Sequence, residues 1–343
     1  MTIRRLALAA GVALSVLCAG CGADLVGAPP ATDRASLFDE LWKQFDLHYS
    51  FFELKRIDWG AMRARYRPAA LAAPNDRAFA TVLASMLAEL RDVHVTLTPF
   101  GPGSTMRYRT PFDTLASDLS ETLIFSAYVP NAAATSGGHL RFGMLANGVG
   151  YIRIPSFEGN DWAGEVDEAL DQMPGASAMV IDVRANGGGS RLVARDIAGR
   201  FADRPHTFGY LRYRNGPGHG DFTDLVPETV EPRGARRFSG PVVVLTSRRD
   251  YSSAEDFVLA MRALPRTTVV GDTTGGASGG PIVRELANGW TYQISQWIEY
   301  TPAKQIFEGI GLAPDVVVKP DVRSIAAKRD AVVDRAVALA TVR

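Results

Sequence analysis

Short apolar segments alternate with helical segments from residue 148 to residue 274, and this alternation constrains the fold of the chain most strongly. The strand-like segments read GVGYIRIPSF, AMVIDVRAN, GPVVVLTSRR and TTVVGDTT. The helical segments between them read DWAGEVDEALDQM, SRLVARDIAGRFAD and SSAEDFVLAMRAL. Strands that are apolar along most of their length and separated by helices indicate an α/β domain with a largely buried sheet. This core is predicted to occupy residues 148–343 and to end in a helix over AAKRDAVVDRAVALATVR.

A small helical module is predicted before the core, over residues 35–95. The segment SLFDELWKQFDLHYSFF repeats apolar residues at helical spacing, with Leu41 and Phe45 on one stripe. A second amphipathic segment, DRAFATVLASMLAELRD, begins at Asn75-Asp76, which can cap a helix. Residues 96–147 are irregular, with some strand-like pieces, and are too few to hold an inserted peptide-binding domain of the PDZ type. No PDZ domain is therefore expected.

The first 21 residues have the layout of a secretory signal. A positive pair, Arg4 and Arg5, precedes an apolar run that is too short to span a bilayer comfortably. Cys18-Ala19-Gly20-Cys21 resembles a bacterial lipoprotein cleavage box, which makes Cys21 a candidate for lipidation. Residues 22–34 are rich in Ala, Gly and Pro and predict a flexible tether. The protein is therefore expected to be exported, either to the periplasm or to a bacterial membrane as a lipoprotein.

Composition excludes several kinds of site and partner. The chain has two cysteines, both in the leader, so the folded body has no disulfide framework, thiol nucleophile or cysteine metal site. Lys plus Arg and Asp plus Glu both number 37, which gives no electrostatic reason to expect nucleic acid as a partner. No metal or cofactor is expected.

Ser252 is the first candidate for chemistry. It follows a buried strand and a short charged turn, and it opens the helical segment SSAEDFVLAMRAL. A serine at a helix start often only caps free N–H groups, and Glu255 three residues later would complete a capping box. The alternative is a nucleophile at a strand-to-helix turn, where local N–H groups and the helix dipole stabilise a developing oxyanion.

A serine nucleophile needs a base and a group that orients the base. The chain has five histidines, of which His94 ends the helical module in LRDVHVTL, while His206 and His219 lie in loop-like stretches. Glu308, in FEGIGLAPDVVV, and Glu255, one turn after Ser252, are candidates for the orienting carboxylate. From the residues alone, each histidine has a structural alternative and Glu308 has the alternative of a solvated loop carboxylate.

Together these segments resemble a serine peptidase superfamily. It contains the carboxyl-terminal processing proteases, the tricorn core protease and the interphotoreceptor retinoid-binding protein repeats. The resemblance runs from about Ser36 to Val318 and is carried by six segments in order. They are LRDVHVTL, GVGYIRIPSF, VIDVRANGGG, YSSAEDF, VVGDTTGGASGG and FEGIGLAPD. It implies a crotonase-like or ClpP-like core.

The resemblance also implies site residues and a reaction, namely hydrolysis of a peptide or protein substrate with Ser252 as nucleophile. The processing branch uses a Lys base, but the corresponding stretch here, GGAS, has none. The tricorn-like branch implies His94 as base and Glu308 as its orienting residue. That branch has a serine before its histidine where this chain has Val93, which leaves water, Asp92 or a direct contact as the link.

The oxyanion hole implied by the resemblance consists of backbone N–H groups of Gly187 or Gly188 and of Ser253. A glycine-rich strand end fits this role, because it lets backbone donors approach a substrate closely. Three other hypotheses stay open: a non-catalytic protein that binds an apolar ligand, a degenerate peptidase scaffold, and a peptidase whose base is His206 or His219.

Overall fold

The computed structural model describes residues 31–101, 103–109, 119–319 and 322–341. The predicted signal segment with Cys21 lies outside the described residues, as does the predicted tether up to residue 30. Within the described ranges, no helix combines the length and apolar character needed to cross a membrane.

Helices and strands follow in chain order. The helices are α1 Arg34–His48, α2 Phe52–Lys55, α3 Trp59–Leu71, α4 Asp76–Ala88, α5 Glu121–Leu123, α6 Glu165–Asp171, α7 Arg191–Ala198, α8 Ser253–Arg262, α9 Val322–Ala326 and α10 Ala331–Ala340. The strands are β1 Thr96–Thr98, β2 Tyr108–Arg109, β3 Ala133–Ala134, β4 Arg141–Met144, β5 Val149–Arg153, β6 Ala178–Asp182, β7 His206–Tyr213, β8 Val226–Val230, β9 Val242–Thr246, β10 Thr267–Gly271, β11 Pro281–Glu285, β12 Thr291–Ser295, β13 Trp297–Tyr300 and β14 Val316–Val317. A π-helical turn, Ile124–Tyr128, follows α5, and a 3-10 turn, Ala146–Gly148, precedes β5.

A seven-stranded sheet forms the centre of the core, in the order β14-β10-β9-β6-β5-β4-β3. Strands β5, β6, β9, β10 and β14 run parallel, while β4 and β3 extend the sheet in antiparallel fashion. Every residue of β5, β6 and β9 is buried, because helices cover both faces of the sheet. The predicted α/β class, with a small helical N-terminal module, is confirmed.

Two strands of the central sheet, β3 and β4, come from residues 133–144. The core sheet therefore begins before residue 148, within the stretch predicted as an irregular linker. The predicted closing helix, over residues 326–343, begins later than expected, since α9 ends at Ala326 and α10 begins after Asp330. The Asp330 side chain caps α10 by accepting bonds from the N–H groups of Val332 and Val333.

The helical module packs against a second sheet, in the order β11-β12-β1-β2. Phe45 of α1 and Tyr292 of β12 belong to one buried apolar cluster, with their ring centroids 6.0 Å apart. Asn75 caps α4 as predicted, by accepting a bond from the N–H of Ala78. Strand β1 pairs with β12 directly after the module ends, and this pairing carries His94 to the core. A third sheet, in the order β13-β7-β8, completes the described strands.

Candidate active site

Ser252 occupies a strained turn between β9 and α8. Its φ is 57° and its ψ is −129°, a backbone conformation that costs a non-glycine residue free energy and clusters at functional sites. Its N–H donates to the carbonyl of Ala277 at 2.9 Å. Its side chain makes no capping bond, so the capping interpretation is wrong. The hydroxyl makes no hydrogen bond to any described residue and faces a cavity.

Glu255 does not form the predicted capping box. Its buried carboxylate accepts bonds from the N–H groups of Gly276 and Ala277, each at 2.8 Å, and from the hydroxyl of Thr274. Burial raises the pKa of Glu255 to about 7, against the lowering effect of these bonds. The carboxylate thus braces the loop whose Ala277 carbonyl holds the N–H of Ser252.

Ser252 and His94 line the same cavity, which has a volume of about 490 Å³. Its wall also contains Gly187, Ser253 and Ser278. The elements that meet here are far apart in the chain: the turn before α8, the segment before β1, and the loop before β11. The fold therefore brings the predicted nucleophile and base to one surface.

Asp92 positions the backbone of His94. One of its carboxylate oxygens accepts the N–H of His94 at 2.9 Å, and the other accepts the hydroxyl of Ser295 at 2.8 Å. Burial lowers the pKa of the His94 imidazole, while the charge of Asp92 and the backbone of Ser278 oppose that shift. A neutral imidazole at neutral pH is the form that can accept a proton.

The Nδ1 atom of His94 is buried and has no well-formed hydrogen bond to any described residue. The backbone of Ser278 lies near enough to favour the protonated ring. Neither Asp92 nor Glu308 bonds the ring directly among the described residues. Of the links left open by the sequence, a direct contact and an Asp92 bridge are therefore not formed in this structure.

Glu308 is buried, with 7% of its surface exposed, so the solvated-loop interpretation is wrong. One carboxylate oxygen accepts Lys55 Nζ at 2.9 Å. The other accepts the N–H of Ser278 at 2.8 Å and its hydroxyl at 3.1 Å. Burial raises the pKa of Glu308 to about 7, Asp92 adds to the rise, and Lys55 opposes it.

The predicted oxyanion donors differ in their availability. The N–H of Gly188 donates to Asn186 Oδ1 at 2.8 Å, so Gly188 is not a free donor in this conformation, contrary to one of the two predicted options. Gly187 and Ser253 line the cavity, and the Ser253 hydroxyl donates to the carbonyl of Gly189 at 2.7 Å.

The alternative bases lie elsewhere. His206 Nε2 contacts Asp203 at 2.6 Å, and His219 Nε2 contacts Asp46 at 2.9 Å. Neither histidine lines the cavity that contains Ser252.

Lys55 and Ser278 are site residues that the sequence analysis did not single out. Lys55 lies 253 positions before Glu308, so no local spacing marks the pair. Ser278 lies in the GGAS stretch, where the family resemblance indicates only a missing lysine and assigns no role to the serine.

Several charged or ionisable side chains also line the cavity. Arg191 donates to both carboxylate oxygens of Asp256, at 2.7 and 2.8 Å, and lies over the ring of Trp297. Burial raises the pKa of the adjacent Glu299 well above its usual range, and the neighbouring Asp256 adds to the rise. Arg107 donates to Gln293 Oε1 at 3.2 Å on another wall. A polar, charged lining suits a peptide better than an apolar molecule.

Comparison with known proteins identifies the family. Residues 148–318 match peptidase family S41, and residues 30–88 match the tricorn protease C1 domain. A Parabacteroides merdae protein of known crystal structure, assigned to the peptidases, is 31% identical with a TM-score of 0.80. The match covers 91% of this chain and 98% of that one. The chain belongs to peptidase family S41. The resemblance drawn from the sequence is thereby confirmed.

Among curated S41 relatives, the carboxyl-terminal-processing protease of Synechocystis sp. is 30% identical over 180 residues, which is 52% of this chain. Tricorn protease homolog 1 of Streptomyces coelicolor is 28% identical over 265 residues, which is 73% of this chain. The chain spans 40% and 21% of the lengths of these two proteins.

Proposed function

We propose that this protein is an exported serine peptidase that hydrolyses peptide bonds by acyl transfer. Ser252 is the nucleophile, His94 the general base and Glu308 the carboxylate that supports it. The observation that carries the proposal is the strained Ser252, whose hydroxyl makes no capping bond and faces a cavity that His94 also lines. A strained turn that exposes a hydroxyl beside a neutral imidazole fits nucleophilic catalysis better than helix capping.

In the first step Ser252 Oγ attacks the scissile carbonyl, and its proton passes to the His94 imidazole. The N–H groups of Ser253 and Gly187 stabilise the negative oxygen of the tetrahedral intermediate. The C–N bond then breaks, and the imidazolium gives its proton to the leaving amine. Water attacks the acyl-enzyme by the same route and restores the Ser252 hydroxyl.

The substrate is proposed to be a peptide or protein. The relatives named as processing proteases support this class, and so do the charged walls formed by Arg107, Arg191 and Asp256. These walls argue against the alternative of an apolar-ligand carrier, because burying charged groups against an apolar ligand is unfavourable. Export is supported by residues 1–21, and attachment to a membrane is proposed through a lipidated Cys21.

The proposal is tested with a fluorophosphonate probe and with a library of unstructured peptides. The wild-type chain is expected to be labelled at Ser252 and to cleave peptides, whereas Ser252→Ala is expected to lose both while melting near the wild-type temperature. Ser85→Ala, at an exposed helix position, is the matched control and keeps both activities. A Ser252→Ala variant that hydrolyses peptides at the wild-type rate would show that the nucleophile is elsewhere.

A further inference from the structure

Glu308 needs a physical link to His94 if it is to support the base, and the residue before His94 is Val93, which has no hydroxyl. We propose that Lys55 and Ser278 are positioning residues that supply this link. Lys55 favours the ionised form of Glu308, and Ser278 ties the Glu308 carboxylate to the loop beside the His94 ring. This inference rests on the proposed function, since it assigns the support of the same base.

Lys55 stands at the end of α2 and reaches into the core site. Its ammonium donates to Glu308 Oε1 at 2.9 Å and to the carbonyl of Arg91 at 3.0 Å, and it lies 5.1 Å from the centre of the Phe51 ring. Only 10% of the Lys55 side chain and 3% of the Glu308 side chain are exposed. A buried carboxylate needs such a partner to stay ionised, because desolvation favours its neutral form.

Ser278 bonds Glu308 at one end of the proposed link and lines the same cavity as His94 at the other. Its N–H and its hydroxyl both donate to the Glu308 oxygen that Lys55 does not bind. Its backbone lies beside the His94 ring and favours the protonated form. From another part of the chain, Ser278 thus places a hydroxyl on Glu308 and its backbone beside His94.

The loop that holds Ser278 also holds the nucleophile. Ala277, the preceding residue, accepts the N–H of Ser252 at 2.9 Å. Gly276 accepts the N–H of Gly309 at 2.7 Å, so the loop is tied to the segment that follows Glu308. A shift of the Glu308 carboxylate is thus transmitted to the base and to the nucleophile through one short loop.

The ionisation of Glu308 gives the inference a measurable consequence. Without Lys55, Glu308 stays protonated to a higher pH, and a neutral carboxyl supports the imidazolium less well. The acid limb, which is the pH range in which the labelling rate of Ser252 rises from its low-pH value, therefore moves to higher pH. The titratable or charged groups that act on Glu308 or His94 are Tyr49, Lys55, Asp92 and Asp256.

The experiment measures the rate of fluorophosphonate labelling of Ser252 against pH in the full chain. In the wild type, the acid limb is expected near pH 7. Lys55→Met is expected to move it upward by about one pH unit or more, and Lys55→Arg to return it to the wild-type position. Lys43→Met, which removes an exposed charge from the same module, leaves the limb in place. A role limited to folding would lower the melting temperature without moving the limb.

If Lys55→Met folds poorly, variants of Ser278 and Glu308 test the same link through the labelling rate of Ser252. Ser278→Ala is expected to lower the plateau rate about 10-fold, and Ser278→Thr to restore most of it, because only the hydroxyl contact to Glu308 is lost and regained. In a Glu308→Gln background, Ser278→Ala is expected to have no further effect on the rate.

The outcomes separate this inference from the proposed function. A wild-type chain that is not labelled at Ser252 overturns both. If Ser252 is labelled but the acid limb does not move in Lys55→Met, the positioning role is overturned. A Ser278→Ala labelling rate equal to that of the wild type overturns it as well. In both cases the assignment of Ser252 as nucleophile is unaffected.

Discussion

Substituting Gly188 with alanine is expected to disable Ser252 through steric contact alone. Gly188 has a φ of +94°, and an added Cβ would lie 2.8 Å from Ser252 Cβ, 2.8 Å from the Tyr251 carbonyl oxygen and 3.0 Å from the Ser253 nitrogen. Two of these atoms belong to the backbone of the nucleophile turn and cannot rotate away. The alanine and Ser252 must therefore separate.

The magnitude follows from the geometry. The contact to Ser252 Cβ is about 0.6 Å closer than the 3.4 Å at which ordinary contact begins. The unfavourable φ costs about 1–2 kcal/mol and the overpacking about 1–3 kcal/mol. The expected loss of stability is about 2–5 kcal/mol, which lowers the melting temperature by roughly 4–10 °C. A displacement of this size is expected to reduce the reaction rate about 10- to 100-fold.

The assay combines thermal unfolding with the rate of fluorophosphonate labelling of Ser252. Gly187→Ala is the matched control for stability, because a Cβ at Gly187 meets nothing within 4 Å and its φ is not positive. Its melting temperature is expected to stay within about 2 °C of wild type. A Gly188→Ala protein that melts and reacts like the wild type would refute the described packing around Ser252.

Two further predictions concern Glu255 and the leader. Burial raises the pKa of Glu255 to about 7, so this group binds more protons in the folded state and its contribution to stability is lost as pH rises from about 4.5 to 7. Urea titrations are therefore expected to show the wild type losing about 3 kcal/mol of unfolding free energy relative to Glu255→Gln across that interval. A difference between the two proteins that does not change with pH would contradict this prediction. Cys21→Ser in the full chain expressed in a bacterium is expected to move the protein from the membrane fraction to the soluble periplasmic fraction, and an unchanged distribution would exclude lipid attachment at Cys21.

Local patterns were sufficient for several elements of the core and for part of the site. The helix after Asn75 and the buried strands β5, β6 and β9 follow from capping and from apolar runs, which depend on residues close in the chain. Ser252, His94 and Glu308 were identified by motifs, and Ser252 and His94 line one cavity. Glu255 was predicted in the wrong role, because the Ser-x-x-Glu spacing does not distinguish a capping box from a brace to a distant loop.

Sequence patterns were thus enough to predict the alternation of strands and helices, the family and the residues that carry reactive groups. Which of these groups touch depends on the folded arrangement. In the folded chain, Ser252 is held in a strained turn instead of capping α8, Glu308 is buried against Lys55, and Ser278 stands beside His94. The physical reason is distance along the chain: propensity and capping act over a few residues, whereas the pKa of a carboxylate and the direction of a hydroxyl depend on groups that meet only after the sheets have formed.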